Sequence, residues 1–177
     1  MLNLLFPLNI ETEYSTIVTA DDGTILHAFL TSDDKWRMYT ELDEITPQLK
    51  KAIIHKEDKY FRYHVGVNPL AVARALFNNI IKGRRTSGAS TITMQVARLL
   101  SPKNRTVGNK VVEMFRALQL EMYYSKDEIL QMYLNLVPYG GNIEGVKAAS
   151  VLYFQKAPDH LSICLLYTSP SPRDIGE

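Results

Sequence analysis

Glu57 and Asp58 stand side by side after the apolar pair Ile53-Ile54, and Phe61, His64 and Gly66 follow at short spacing. Adjacent carboxylates against apolar side chains suit proton transfer, because a low local dielectric makes a carboxyl a stronger base. Taken alone, the pair also fits a solvated helix end. A second stretch, GASTITMQ, covers residues 88–95. Its glycine and small residues let backbone approach a ligand, and a helix start presents N–H groups at the positive end of the dipole. The hydroxyls of Ser90, Thr91 and Thr93 and the amide of Gln95 add donors, and Arg98 follows one turn later. Phosphate or pyrophosphate would fit such a cradle, although a capped helix after a loop reads the same way. The third feature is Glu113, with Lys110 three residues before it and Arg116 three after. That spacing allows pairing on one helix face. Glu113 is either an ordinary helix ion pair or a second carboxylate facing Glu57 across a cleft. His64 reads first as a packed, hydrogen-bonded residue, since no second histidine is spaced for a metal.

These groups need elements to hold them. Residues 14–40 read as a small β unit, with STIVTA and TILHAF joined across Asp22-Gly23, a hairpin signal. Lys35 to Thr40 would add a third strand. From Glu41 the apolar spacing turns helical, with Leu42, Ile45, Leu49, Ala52 and Ile53 on one face and Pro47 in the first turn. Asn68-Pro69 opens a helix whose stripe is Leu70, Ala73, Leu76, Phe77, Ile80 and Ile81, closed by Gly83. Arg84 to Ala89 is a basic, glycine-containing loop. Ser90 is expected to cap the next helix, which stops before Pro102. Another begins near Gly108 with Val111, Phe115, Leu118 and Met122 inward. Ser125 to Glu128 is a capping box, and Pro138, Gly140 and Gly141 form a turn. A last helix runs over about residues 143–154. After Ser162 the helical period is lost and Ser-Pro pairs appear, so residues 163–177 read as a foreign tail, and Cys164 within it is given no role.

The chain has 177 residues, a 46% apolar fraction and a net charge of +1, the values of one globular domain and not of a disordered chain. The small net charge hides an asymmetry. Acids dominate residues 1–50, whereas residues 82–116 carry Lys82, Arg84, Arg85, Arg98, Lys103, Arg105, Lys110 and Arg116 against Glu113 alone. Such an excess attracts an anionic partner: nucleic acid, anionic lipid or a phosphorylated substrate. A single cysteine excludes an internal disulfide and a cysteine metal site. No run reaches the ~20 apolar residues of a membrane span.

Together the motifs resemble the peptidoglycan glycosyltransferases, glycosyltransferase family 51. HKEDKYFRYHVGVNP is similar to that family's E-D-x-x-F-x-x-H-x-G, GASTITMQ to G-x-S-T-I-T-Q-Q, and KVVE to R-K-x-x-E. SKDEILQMYLN and GVKAASVLYFQK resemble the next two blocks, in the same order, over about Ala20 to Ser162. The Asn-Pro after Gly66 and the Met-Gln-Val-Ala-Arg run look most like the domain of 1C-type bifunctional penicillin-binding proteins. The resemblance implies a mainly α, lysozyme-like glycosyltransferase domain with a small N-terminal β-hairpin unit, its cleft lying between a larger lobe and a small membrane-dipping lobe. In such proteins a membrane anchor precedes the domain and a transpeptidase domain follows. Residues 1–40 would then be the β unit after a missing anchor, and residues 41–162 a C-terminally truncated catalytic domain.

The implied reaction joins lipid II to a growing glycan strand through β-1,4 links, with inversion and release of undecaprenyl pyrophosphate, at the periplasmic face of the bacterial inner membrane. By position, Glu57 would be the general base, and Glu113 would lie near the leaving pyrophosphate. Ser90, Thr91, Gln95, Arg98 and Lys110 would hold phosphates and sugar, and Asp58, Phe61 and His64 would support the Glu57 loop. The resemblance requires no cofactor and leaves room for a divalent ion, Mg or Mn, beside Glu113. Three positions depart from the pattern: Asn109 where arginine is usual, Met94 for a glutamine, and Gln131 for a glutamate. Two rivals stand beside this reading. A lysozyme-like glycoside hydrolase would also use two carboxylates, but a neutral glycan needs no pyrophosphate site. A basic nucleic-acid-binding helical module leaves Glu57-Asp58 unexplained and lacks interleaved aromatics.

Overall fold

A computed structural model describes residues 7–8, 10–82, 90–104, 106–156 and 158. The basic loop after Lys82, Arg105 and residues 163–177 with Cys164 lie outside the described residues, so the expectations placed on them stay expectations. The chain divides into two compact units, one of Met1–Asn9 and Ile54–Leu130, the other of Ile10–Ile53 and Gln131–Glu177. Helices are the main element of the described chain, as expected, and the sheets are small.

Strands β1 (Ile17–Thr19) and β2 (Ile25–Ala28) form the expected antiparallel hairpin in the second unit, with Ile17 opposite Ala28. Gly23 supplies the positive φ of its turn. The third strand, β3 (Trp36–Arg37), does not join this hairpin. It pairs in parallel with β5 (Ile143–Glu144), which also pairs antiparallel with β4 (Pro138–Gly140). An ion pair reinforces the ladder: Arg37 Nη2 lies 2.6 Å from Glu144 Oε2. Buried Ala28, Met38 and Ala148 form the apolar centre here, with Ile17, Ile25, Trp36, Ile143 and Val151 packed on it.

Helix α1 spans Pro47–Asp58, so proline, expected in the first turn, takes the first position and Leu42 and Ile45 precede the helix; the Thr46 hydroxyl accepts from the Leu49 N–H at 3.3 Å. Helices α2 (Pro69–Lys82), α3 (Ile92–Leu100), α4 (Val107–Tyr123) and α5 (Lys126–Leu136) follow. The capping box of α5 is present: the Ser125 N–H and hydroxyl both reach Glu128 Oε2 at 2.7 Å. The last helix is much shorter than expected. Ile143–Glu144 is strand β5, α6 covers only Val146–Ala149, and a π turn continues over Ser150–Phe154. Gly145 explains the break: its φ is +85°, and a Cβ there would stand 2.6 Å from the Asn135 carbonyl oxygen.

Helix α4 packs against α3 within the first unit, on a face the sequence did not indicate. Val111, Phe115, Leu118 and Met122 were expected inward, yet they are 61%, 37%, 45% and 70% exposed, while Ala117 and Leu120 are fully buried. Leu70 and Phe77 of the expected α2 stripe are exposed as well. The inward face of α4 also carries Gln119, Glu113 and Glu121, and the two carboxylates each meet a lysine there, Lys110 and Lys126.

Candidate active site

The last turn of α1 delivers Glu57 and Asp58 into buried surroundings, at 7% and 8% exposure. They are not a solvated helix end. A buried carboxylate needs donors, and both have them. Asp58 Oδ2 accepts the backbone N–H of Ile92 at 3.1 Å and lies 2.8 Å from His64 Nε2. A carboxylate only accepts, so His64 Nε2 carries the shared hydrogen. That leaves His64 Nδ1 buried with no partner among the described residues. Glu57 Oε2 accepts from Gln95 Nε2 at 3.1 Å. An amide donor neither gains nor loses a proton in this range, so it holds Glu57 without competing for its chemistry.

The start of α3 is built differently from expectation. Thr91, not Ser90, is the N-cap. Its Oγ1 accepts from Met94 N at 3.2 Å and donates to the Gly66 carbonyl at 2.5 Å. Protein atoms therefore already occupy the Ile92 and Met94 N–H groups of the supposed phosphate cradle. Ser90 is instead one member of a separate cluster: Lys110 Nζ donates to Ser90 Oγ and to Glu113 Oε2, each at 2.7 Å. The Lys110 side chain is 38% exposed, so its ammonium can meet a ligand from solvent. Arg98 sits half-buried in the last turn of α3. The first turn of α3 thus links both predicted carboxylates, Glu57 through Gln95 and Glu113 through Ser90 and Lys110.

Gly66 closes the loop that follows α1. Its φ is +75°, and a Cβ there would lie 2.7 Å from the Ala117 carbonyl oxygen. Only glycine lets the loop rest directly on α4. Phe61 is fully buried, and Lys126 Nζ lies 4.6 Å from its ring centroid. Lys126 Nζ also donates to the His64 carbonyl and to Glu121 Oε1, each at 2.6 Å, and the same oxygen accepts from Thr93 Oγ1 at 2.6 Å. The sequence reading missed Lys126 and Glu121. They sit five residues apart on two different helices, outside the three- and four-residue spacing that marks a pair within one helix.

The side chains around Glu113 do not by themselves form a metal site. Its carboxylate already faces the Lys110 ammonium, and among the described residues no three His, Cys, Asp or Glu side chains gather as ligands. A hard divalent cation wants about six oxygens, and most would have to come from the substrate.

The three departures have distinct surroundings. Asn109 donates Nδ2 to the Asn104 carbonyl at 2.7 Å, and its N–H bonds the Thr106 cap at 3.1 Å, so it organises the start of α4 in place of a cation. Met94 is 1% exposed among buried neighbours, where a glutamine amide would need several partners. Gln131 lies in the second unit and donates to Glu41 Oε2 at 2.7 Å and to Tyr39 Oη.

Comparison with known proteins identifies relatives of the chain. Residues 22–168 match the family model for transglycosylase. The chain is 46% identical to penicillin-binding protein 1C of Escherichia coli (strain K12) over 159 residues, 89% of this chain and 21% of that protein. It is 42% identical to penicillin-binding protein 1A of the same strain, over 80% of this chain and 16% of that protein. Penicillin-binding protein 1F of Bacillus subtilis (strain 168) is 37% identical over 74% of this chain and 19% of its own length. The chain spans about a fifth of the length of these relatives.

Proposed function

This chain belongs to the transglycosylase family, and from that premise we propose that it is the peptidoglycan glycosyltransferase part of a bifunctional penicillin-binding protein of the 1C type. One observation carries the reading. A buried carboxylate, Glu57, is held by an amide at a helix start that also bears the Ser90–Lys110–Glu113 cluster. In the proposed step, Glu57 takes the proton of the acceptor 4-hydroxyl. The oxygen attacks the donor anomeric carbon from the face opposite the pyrophosphate, and the bond from that carbon to the pyrophosphate oxygen breaks with its electron pair. The negative charge that develops on the leaving group is met by the Lys110 ammonium and the Ser90 hydroxyl. Lipid II supplies the acceptor and the growing strand the donor. Asp58 and His64 keep the loop after Glu57 on the start of α3, and Thr91 ties that start to Gly66.

The surface of the first unit supports a membrane partner. Tyr63, Val65, Leu70, Phe77, Val107 and Val111 are large apolar side chains more than half exposed. Exposed apolar side chains of this kind can enter the headgroup region of a bilayer, and a lipid-linked substrate has to be met at a bilayer. No helix among the described residues is long and apolar enough to cross a membrane. The proposed place of action is the periplasmic face of the bacterial inner membrane. A glycan hydrolase is less well served, because a neutral polymer gives Lys110 no anion to meet.

The test is Glu57→Gln in the intact protein, with lipid II polymerisation followed by gel and lipid II binding by titration. Loss of the base removes at least ~10²-fold of the rate and leaves binding near the parent value. Lys110→Ala weakens both binding and rate. Polymerisation by Glu57→Gln at the parent rate refutes the assignment.

A further inference from the structure

We propose that Lys126 and Glu121 are positioning residues for glycan transfer, a half-buried ion pair that fixes the loop after Glu57 against the first turn of α3. The proposal rests on the glycosyltransferase reading above. Both residues lie within the unit that holds Glu57, and their side chains are 20% and 6% exposed.

The contacts of the pair define what it fixes. On one side Lys126 grips the loop, through the His64 carbonyl at 2.6 Å and the Phe61 ring at 4.6 Å from its centroid. On the other side Glu121 grips α3, through the Thr93 hydroxyl at 2.6 Å. Thr93 is two residues from Gln95, which bonds Glu57, and one from Ile92, whose N–H bonds Asp58. Besides the Thr91–Gly66 bond at the far end of the loop, loop and helix start are joined by two further links. The first joint is made by the carboxylates Glu57 and Asp58 themselves. The second is the Lys126–Glu121 pair.

The two joints differ in chemistry. Glu57 changes charge when it takes a proton, so its bond to Gln95 weakens during the reaction. Neither Lys126 nor Glu121 faces a group that changes charge in the proposed step. The second joint can thus hold the geometry while the first is altered. Stability alone does not require it, because a buried ion pair is often no more stabilising than apolar residues of the same volume. What an ion pair adds is direction: one ammonium, one carboxylate oxygen and three fixed partners set where His64 and Thr93 sit. Reacting groups need placement within fractions of an ångström, and a shift of ~1 Å can cost ~10²-fold in rate.

Two variants of the intact protein test this. Lys126→Met removes the cation and keeps an unbranched chain beneath Phe61. The double variant Glu121→Gln with Lys126→Met leaves no buried charge without a partner. For each, a lipid II titration gives the dissociation constant and counts the molecules able to bind, and polymerisation is expressed as kcat per binding-competent molecule. The expected result is a ~10- to ~100-fold fall in that kcat for both variants, with the dissociation constant within ~3-fold of the parent. A merely structural pair would lower the number of competent molecules, and those remaining would turn over at the parent rate; that result overturns the proposal. If the parent itself makes no polymer, the glycosyltransferase reading fails, and this proposal with it, before any variant is compared.

Discussion

Gln131 donates its side-chain amide to Glu41 Oε2 at 2.7 Å, and the Tyr39 hydroxyl, bonded to both, donates to the other oxygen of Glu41 at 2.9 Å. The same hydrogen bond to Glu41 raises the pKa of Tyr39 above its ordinary value. A glutamate at position 131 would put a carboxylate where Glu41 needs a donor. The departure from the family pattern at 131 is thus matched by the acid at 41.

Gln131→Glu is therefore expected to lower stability at neutral pH, by about 0.5–1 kcal/mol, the scale of an exposed charge pair. Added salt should shrink the deficit, because it screens the repulsion between two exposed carboxylates. Thermal melts of parent and variant at low and high ionic strength check this. A deficit that does not vary with salt contradicts the pairing.

Gly66→Ala should be far more damaging than its size suggests. The new Cβ would meet the Ala117 carbonyl oxygen at 2.7 Å, and the φ of +75° is unfavourable for alanine. The backbone strain alone costs about 1–3 kcal/mol. Relief requires the loop to lift off α4, which carries the Thr91–Gly66 bond with it. Lower melting temperature together with reduced polymerisation is the expected outcome, and a melting temperature equal to the parent's would show that the loop does not rest there.

The capping box of α5 gives a pH dependence with a definite sign. The Ser125 hydroxyl and N–H donate to Glu128 and hold its carboxyl below the ordinary value of 4.5. A depressed carboxylate contributes its stability in full above that ordinary value and loses it as the pH falls through the folded-state value. Glu128→Gln, which keeps the side chain's size and removes the charge, should therefore melt below the parent at neutral pH. The gap should close only on the acid side of 4.5. A gap that widens in acid contradicts the assignment.

The sequence by itself determined what depends on neighbours a few residues apart. The Asp22-Gly23 hairpin, the Pro47 start of α1 and the Ser125–Glu128 box were legible because each is a local bond or a local backbone preference. The candidate site residues were named from their types and order, which are written in the chain. Tertiary structure decided the rest. Thr91 rather than Ser90 became the cap of α3 because Gly66 and Met94 take the threonine hydroxyl, while Lys110, twenty residues away, takes the serine. Strand β3 found its partner 107 residues on, as the Arg37–Glu144 bond records, and no local pattern encodes such a pairing. The orientation of α4 was reversed from the apolar reading. One face offered methyl groups, and the other offered Glu113, Gln119 and Glu121. Burial of the second face set Glu113 against Lys110 and Glu121 against Lys126, and it left Val111, Phe115, Leu118 and Met122 exposed. Helical periodicity reports that a helix has two faces; which one turns inward is settled by the long-range bonds it makes there.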